Sequence, residues 1–316
     1  MYLPILNQMI LLLCFTIFGF LLRKCKVLPL EADEVLSKLE NFIFVPAIIL
    51  SCFLDNCTIE TLKSMWKILV FSVAILLVLL PVSYFFARWL CKEKFMRNIA
   101  WYSLLFSNFG FMGNAVVKAV CPEIFFDYTI FIMPFWIVIY MWAVPALLLT
   151  GDDTQRGVRK TLKTLFNPMF IALFVGLAIG LTGLKLPTVV VSIIDSAGNC
   201  MAPVAMILTG VVIAKSNVWG LMKNWRLYAI AGISVILFPL IYILVCWLLP
   251  VGGFISETML LCGMFMMSMP LGLNPVIVPA SYGADTSEAA GMTLISGIAS
   301  VGTIPLMFFI FQALVL

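Results

Sequence analysis

Apolar residues run along this chain in blocks of about twenty, the length a helix needs to cross a bilayer, and polar residues collect in the short gaps between them. Ten blocks fit: 3–22, 37–54, 66–90, 98–120, 124–149, 166–184, 188–213, 226–249, 257–282 and 289–315. The pattern predicts an all-α integral membrane protein of ten transmembrane helices. Against so uniform a background the few polar interruptions stand out. The fourth block contains SNFGFMGNA at 107–115, and the ninth contains SMPLGLNPVIVPAS at 268–281. Both carry residues that a continuous spanning helix avoids.

Composition strengthens the membrane reading. The chain of 316 residues is 63% hydrophobic and 11% charged, with mean hydropathy +1.14. A soluble domain is roughly half apolar and about a quarter charged. Histidine is absent, which removes Ser-His-Asp and HExxH chemistry. The nine cysteines show neither CxxC nor metal-type spacing, so neither a disulfide framework nor a zinc site is expected. The +4 balance is spread over short loops and forms no patch for nucleic acid. The first block has no basic residues before it, whereas Arg23, Lys24 and Lys26 follow it, so it reads as a spanning helix and not a cleaved signal.

Basic residues set the orientation. Of 19 Lys and Arg, only Lys63, Lys67, Lys118 and Lys185 fall on the side that holds the even-to-odd connections. The positive-inside rule puts the richer side in the cytoplasm and both termini outside, in a plasma or inner cell membrane.

Prolines disclose an internal repeat. Pro29, Pro46, Pro81 and Pro145 are separated by 17, 35 and 64 residues; Pro187, Pro203, Pro239 and Pro305 by 16, 36 and 66. Neighbouring sequence agrees: KVLP at 26–29 with LKLP at 184–187, and PVSY at 81–84 with PLIY at 239–242. Each copy holds five helices, so the second enters the membrane from the opposite side. The expected organisation is a first five-helix repeat at 1–150, a cytoplasmic linker at 151–162 and an inverted second repeat at 163–316.

Counting back from Pro145 and Pro305 pairs Asn114 with Asn274, so GFMGN at 110–114 matches PLGLN at 270–274. Two broken helices, the fourth and the ninth, are expected to cross near mid-bilayer. Irregular backbone is tolerated at that depth where it is buried in protein or lines a wet cavity, and inverted-repeat carriers place substrate there. Half-helix N-termini offer N–H groups to an anion. Asparagine adds a donor and an acceptor. The candidate substrate-binding residues are Ser107, Asn108, Gly110, Gly113, Asn114, Pro270, Gly272, Asn274 and Pro275, with Asn41 as a further lining residue. Carbonyls freed by Pro270 and Pro275 are candidates to hold a cation or a polar substrate group.

SNFGFMGN, the NP-initiated block at 167–187, APVAMILTG at 202–210 and the P-x-x-x-N of 270–274 resemble the auxin efflux carrier family, which includes bacterial malate- and malonate-permease-like proteins and the plant PIN carriers. The resemblance covers nearly the whole chain. It implies a fold similar to bile-acid symporters, with crossed fourth and ninth helices, and export or exchange of organic anions by alternating access. Where the family's first crossover often has proline, this chain has Ala115, which implies a softer first break.

Intramembrane charge completes the list. Asp195 is a candidate for proton or sodium coupling; its plainer reading is an interfacial residue bonded to Asn199. Glu40 is a second coupling candidate; its plainer reading is a cytoplasmic-edge residue facing Lys38 or water. Lys118 is expected to reach water or Glu123. Trp89, Trp101, Tyr102, Trp225 and Trp247 read as interfacial anchors. The leading function is a secondary carrier for a small organic anion, a dicarboxylate or an auxin-like carboxylate. No cofactor is expected beyond H+ or Na+ coupling; the lipid bilayer and a homodimer are the other partners considered. A cation/proton antiporter or a transporter-like sensor without flux are the alternatives, and an enzyme is not expected.

Overall fold

The structure, a computed structural model, describes residues 2–56, 59–148, 168–215, 223–248, 253–281 and 284–315. The linker at 151–162 lies outside the described residues. Those described are helical almost throughout. Seven helices are long and apolar enough to cross a membrane, and shorter apolar helices accompany them. The first three are α1 (Tyr2–Lys24), α2 (32–56) and α3 (Ile59–Leu90). The fourth span is split into α4 (Lys94–Leu105) and α5 (Asn114–Val120). Then come α6 (Pro122–Leu148), α7 (Pro168–Thr182), α8 (Thr188–Lys215) and α9 (Trp225–Leu248). The ninth is split into α10 (Glu257–Ser268) and α11 (Asn274–Ser281), and α12 (Ser287–Leu314) closes the chain.

Helices that are apolar on every side cannot be sorted by amphipathic faces. Packing therefore depends on shape, and small residues let backbones approach. Helices α1, α2, α7 and α8 form a panel joined this way. A Cβ placed on Gly210 of α8 would lie 1.9 Å from the Thr16 carbonyl oxygen of α1. One on Gly19 of α1 would lie 2.1 Å from the Ile207 carbonyl oxygen of α8. Gly198 similarly faces the Ile48 backbone of α2, and Gly176 of α7 faces Phe53 of α2.

The remaining helices form a second bundle around the two split spans. Here aromatic rings fill the interior. Phe135 stands 5.8 Å from Phe109 and 6.4 Å from Phe131, centroid to centroid, and Phe265 lies 4.3 Å from Phe308. Panel and bundle meet chiefly where α1 packs on α12, with smaller contacts of α1 on α5, α8 on the first break and α2 on α6.

Among the described residues, four helical stretches widen into π-turns: Glu40–Phe44, Phe109–Gly113, Ile139–Leu148 and Ile233–Leu237. Each inserts a residue into the helical repeat and turns the following side chains to a new face. Such turns are frequent at functional sites.

Candidate functional site

The two interruptions touch. Helix α4 ends at Leu105, and Phe106–Asn108 run irregularly before the π-turn. On the other side, Met269–Leu273 separate α10 from α11. Asn108 N–H donates to the Pro270 carbonyl at 2.7 Å, and Ser107 pairs with Leu271 in an isolated antiparallel bridge. Without an N–H, Pro270 cannot bond the Met266 carbonyl in helical fashion; Ser107 Oγ donates to that carbonyl at 2.8 Å instead. Leu271 N–H donates to Ser296 Oγ at 3.1 Å, and Thr293 Oγ1 donates to the Gly272 carbonyl at 3.3 Å. The irregular backbone is thus paired by side chains of α12 and by the opposite break, as buried backbone groups require.

These bonds correct two expectations. The carbonyls of Met266 and Pro270 each already accept a hydrogen bond, from Ser107 Oγ and Asn108 N–H. Pro275 occupies the first turn of α11, where its missing N–H costs little, and it begins that helix instead of breaking one. The first break also lies earlier than GFMGN: Phe106–Asn108 are unwound and Phe109–Gly113 remain helical. The matched asparagines nonetheless both open the second half-helix, Asn114 that of α5 and Asn274 that of α11.

Three hollows surround the crossing. The largest, about 390 Å³, lies between it and α1, α8 and α12. Asn108 and Met112 come from the first break, Pro270 and Leu271 from the second. Three hydroxyls reach its wall, but all donate to backbone: Thr16 to Leu12, Thr209 to Ala205 and Thr293 to Gly272. Among the described residues, Asn108 provides its only side-chain amide, and no charged residue lines it. A second hollow of about 30 Å³ lies by Ser107, Gly110, Gly272 and Asn274. There Asn274 Nδ2 donates to Tyr102 Oη at 2.9 Å. A third, about 10 Å³, is faced by Asn114. Asn114 and Asn274 therefore open on different spaces.

Glycines at the first break serve close packing. A Cβ on Gly110 would lie 2.3 Å from the Trp136 ring, and one on Gly113 would lie 2.1 Å from Tyr128 Oη. Tyr128 Oη in turn donates to the Phe109 carbonyl at 2.9 Å and holds the π-turn in place.

Several side chains stand elsewhere than expected. Glu40 is fully buried on the π-turn of α2, and neither carboxyl oxygen has a hydrogen-bond partner. It does not meet Lys38, which pairs with Glu34 at 2.6 Å. Asn41 donates to the Ser37 carbonyl at 2.9 Å, is tied to its own helix and lines none of the three hollows. Asp195 accepts from Ser51 Oγ at 2.6 Å, not from Asn199. Asn199 instead accepts from Lys118 Nζ at 3.1 Å. Tyr102 is buried at the crossing, and Trp101 Nε1 donates to the Leu80 carbonyl at 3.2 Å, so neither is a free interfacial anchor. Tyr102, Met112, Thr293 and Ser296 are site residues that the sequence reading missed. Tyr102 lies five residues before SNFGFMGN and Met112 lies inside it, and that placement was the available signal.

Helices broken partway along their length, whose ends meet beside a deep apolar cavity, belong to a membrane transport protein. The sequence model of one protein family, described as membrane transport protein, matches residues 4–158 and again 154–308. The chain belongs to that family, the auxin efflux carriers, and is a transporter rather than an enzyme. Among curated proteins none matches it.

Proposed function

We propose that the chain is a secondary carrier for a small organic anion, held in the large cavity beside the crossing. The observation that carries this reading is the cavity itself, walled by both broken segments yet offering one side-chain amide and no fixed charge. Asn108 is the group that meets the carboxylate, since the three threonine hydroxyls already donate to backbone. Apolar walls from α1, α8 and α12 take the rest of the molecule. This chemistry favours a monocarboxylate with an apolar body. A dicarboxylate would leave its second charge against Met, Leu and Ile with nothing to pair it, at a large desolvation cost.

In this reading the ten spans, two of them split, are two inverted five-helix repeats, with both termini outside a plasma or inner membrane. The paired asparagines at the starts of α5 and α11 support it. Gly110, Gly113 and Gly272 let the breaks pack closely, and Ser107 ties one to the other. Of the two coupling candidates, Glu40 is the stronger. An enclosed, unpartnered carboxyl in a spanning helix is a functional candidate by default, whereas Asp195 is held by Ser51.

Uptake and counterflow in proteoliposomes test the reading, with labelled mono- and dicarboxylic acids under imposed pH and sodium gradients. Saturable flux of an apolar monocarboxylate, with dicarboxylates carried at least about tenfold more slowly, is expected; about 1.4 kcal/mol of discrimination suffices. Flux of dicarboxylates alone, or of sodium in place of any acid, would reject it.

A further inference from the structure

One wall of the large cavity is cut away. We infer that Gly297 of α12 sets the width of the acid that the cavity admits, so that slender and branched monocarboxylates are told apart there. The inference rests on the carrier reading above, whose site it sharpens.

Glycine inside a helix is destabilising relative to alanine, so an interior glycine has a reason outside the helix itself. The usual reasons are a positive φ, the close approach of a neighbour, or room for a ligand. Gly297 lies inside α12, and the described glycines with positive φ are Gly183 and Gly253. Apart from its own turn of helix, no described atom lies within 4 Å of a Cβ placed on Gly297. The other glycine of the cavity wall is the opposite case. A Cβ on Gly210 would lie 1.9 Å from the Thr16 carbonyl oxygen, so Gly210 holds α1 against α8. Gly297 holds nothing, and the space beside it is the cavity.

The neighbours of Gly297 give that space its shape. Thr293, Gly297 and Val301 all line the cavity and, four residues apart, share one face of α12. Between two side chains, Gly297 leaves a bay one side chain deep. Hydrogen bonds tie the bay to the carboxylate anchor. Leu271 N–H donates to Ser296 Oγ at 3.1 Å, and Leu271 pairs with Ser107, the residue before Asn108. Bay and amide thus belong to one bonded junction. An acid held at Asn108 brings its first carbons to the bay. A straight chain leaves the bay empty, whereas a branch at the carbon bearing the carboxyl fills it.

Binding of two isomeric acids reads the width. Radiolabelled 2-propylpentanoate, branched beside the carboxyl, and n-octanoate, its straight-chain isomer, are equilibrated by dialysis with the full chain in detergent. Wild-type chain should bind the branched isomer more tightly. Gly297→Ala and Gly297→Leu should weaken that binding in this order, by about tenfold or more at leucine, the scale of one methylene in an apolar pocket. Octanoate affinity should change by less than about threefold, a fraction of that discrimination. Thermal midpoints should not fall, since the added side chains displace nothing. Gly302→Leu, with equally open surroundings on α12 but outside the cavity wall, should alter neither affinity. A wild-type preference for octanoate, an equal loss of both isomers, unchanged binding of the branched isomer, or a lowered midpoint at Gly297→Ala would overturn the inference. The expected binding pattern in a chain that exchanges no acid in liposomes would remove the carrier reading alone. Exchange of acids by a chain whose Gly297→Leu variant binds both isomers as wild type does would remove the inference alone.

Discussion

Panel and bundle solve the same packing problem by different means. In the panel, Gly19, Gly198 and Gly210 face backbone atoms of the next helix. In the bundle, Gly110, Gly113 and Gly263 face the tips of Trp136, Tyr128 and Tyr242. Backbone against backbone leaves nothing to yield. Rings against glycine leave side chains that carry hydrogen bonds: Tyr128 to Phe109 and Tyr242 to Leu260. The panel is therefore a seam of fixed spacing. The bundle is a jigsaw of large parts arranged round two unwound segments, and the large cavity and the small hollow faced by Asn114 both lie along the join between the two units.

The contrast can be broken at either end. Phe135 is fully buried among Phe106, Phe109 and Phe131, so Phe135→Ala should cost about 3–5 kcal/mol, read as a large drop in thermal midpoint in detergent. Gly210→Ala should cost about 1–3 kcal/mol through overpacking against the Thr16 backbone, and separate α1 from α8. If the smaller change in the panel proved harmless, backbone contact would not be what fixes that seam. Ser51→Ala removes the bond to Asp195 that joins α2 to α8; polar bonds between spanning helices average about 0.6 kcal/mol, and a fall of that order is expected. Gly302→Ala is the control. Apart from its own turn of helix, nothing lies within 4 Å of the added carbon, so stability should hold or rise by about 0.4–1 kcal/mol.

The breaks themselves were legible because Gly, Pro and Asn stand out in apolar blocks, and proline spacing predicted that Asn114 and Asn274 are partners. Which way each side chain faces was not legible. A helix apolar all round gives no phase, and the π-turn at Phe109–Gly113 adds a residue just before Asn114. Glu40 was hidden in the same way, since its own π-turn lies inside a span that reads as uniform helix. Tyr102 looked interfacial because it adjoins Trp101 near a charged loop; only the crossing of a segment 172 residues away buries it. The panel glycines escaped notice because glycine is common in spanning helices.

The central claim is that Asn108, at the junction of both breaks, binds the transported carboxylate. Its most direct test is counterflow of a labelled apolar monocarboxylate through wild-type chain and Asn108→Ala side by side, at matched protein in the liposomes. A hydrogen bond to a charged group contributes about 1.5–3 kcal/mol, so apparent affinity should fall roughly 10- to 100-fold. An Asn108→Ala variant that exchanges the acid with wild-type affinity and rate would contradict the account.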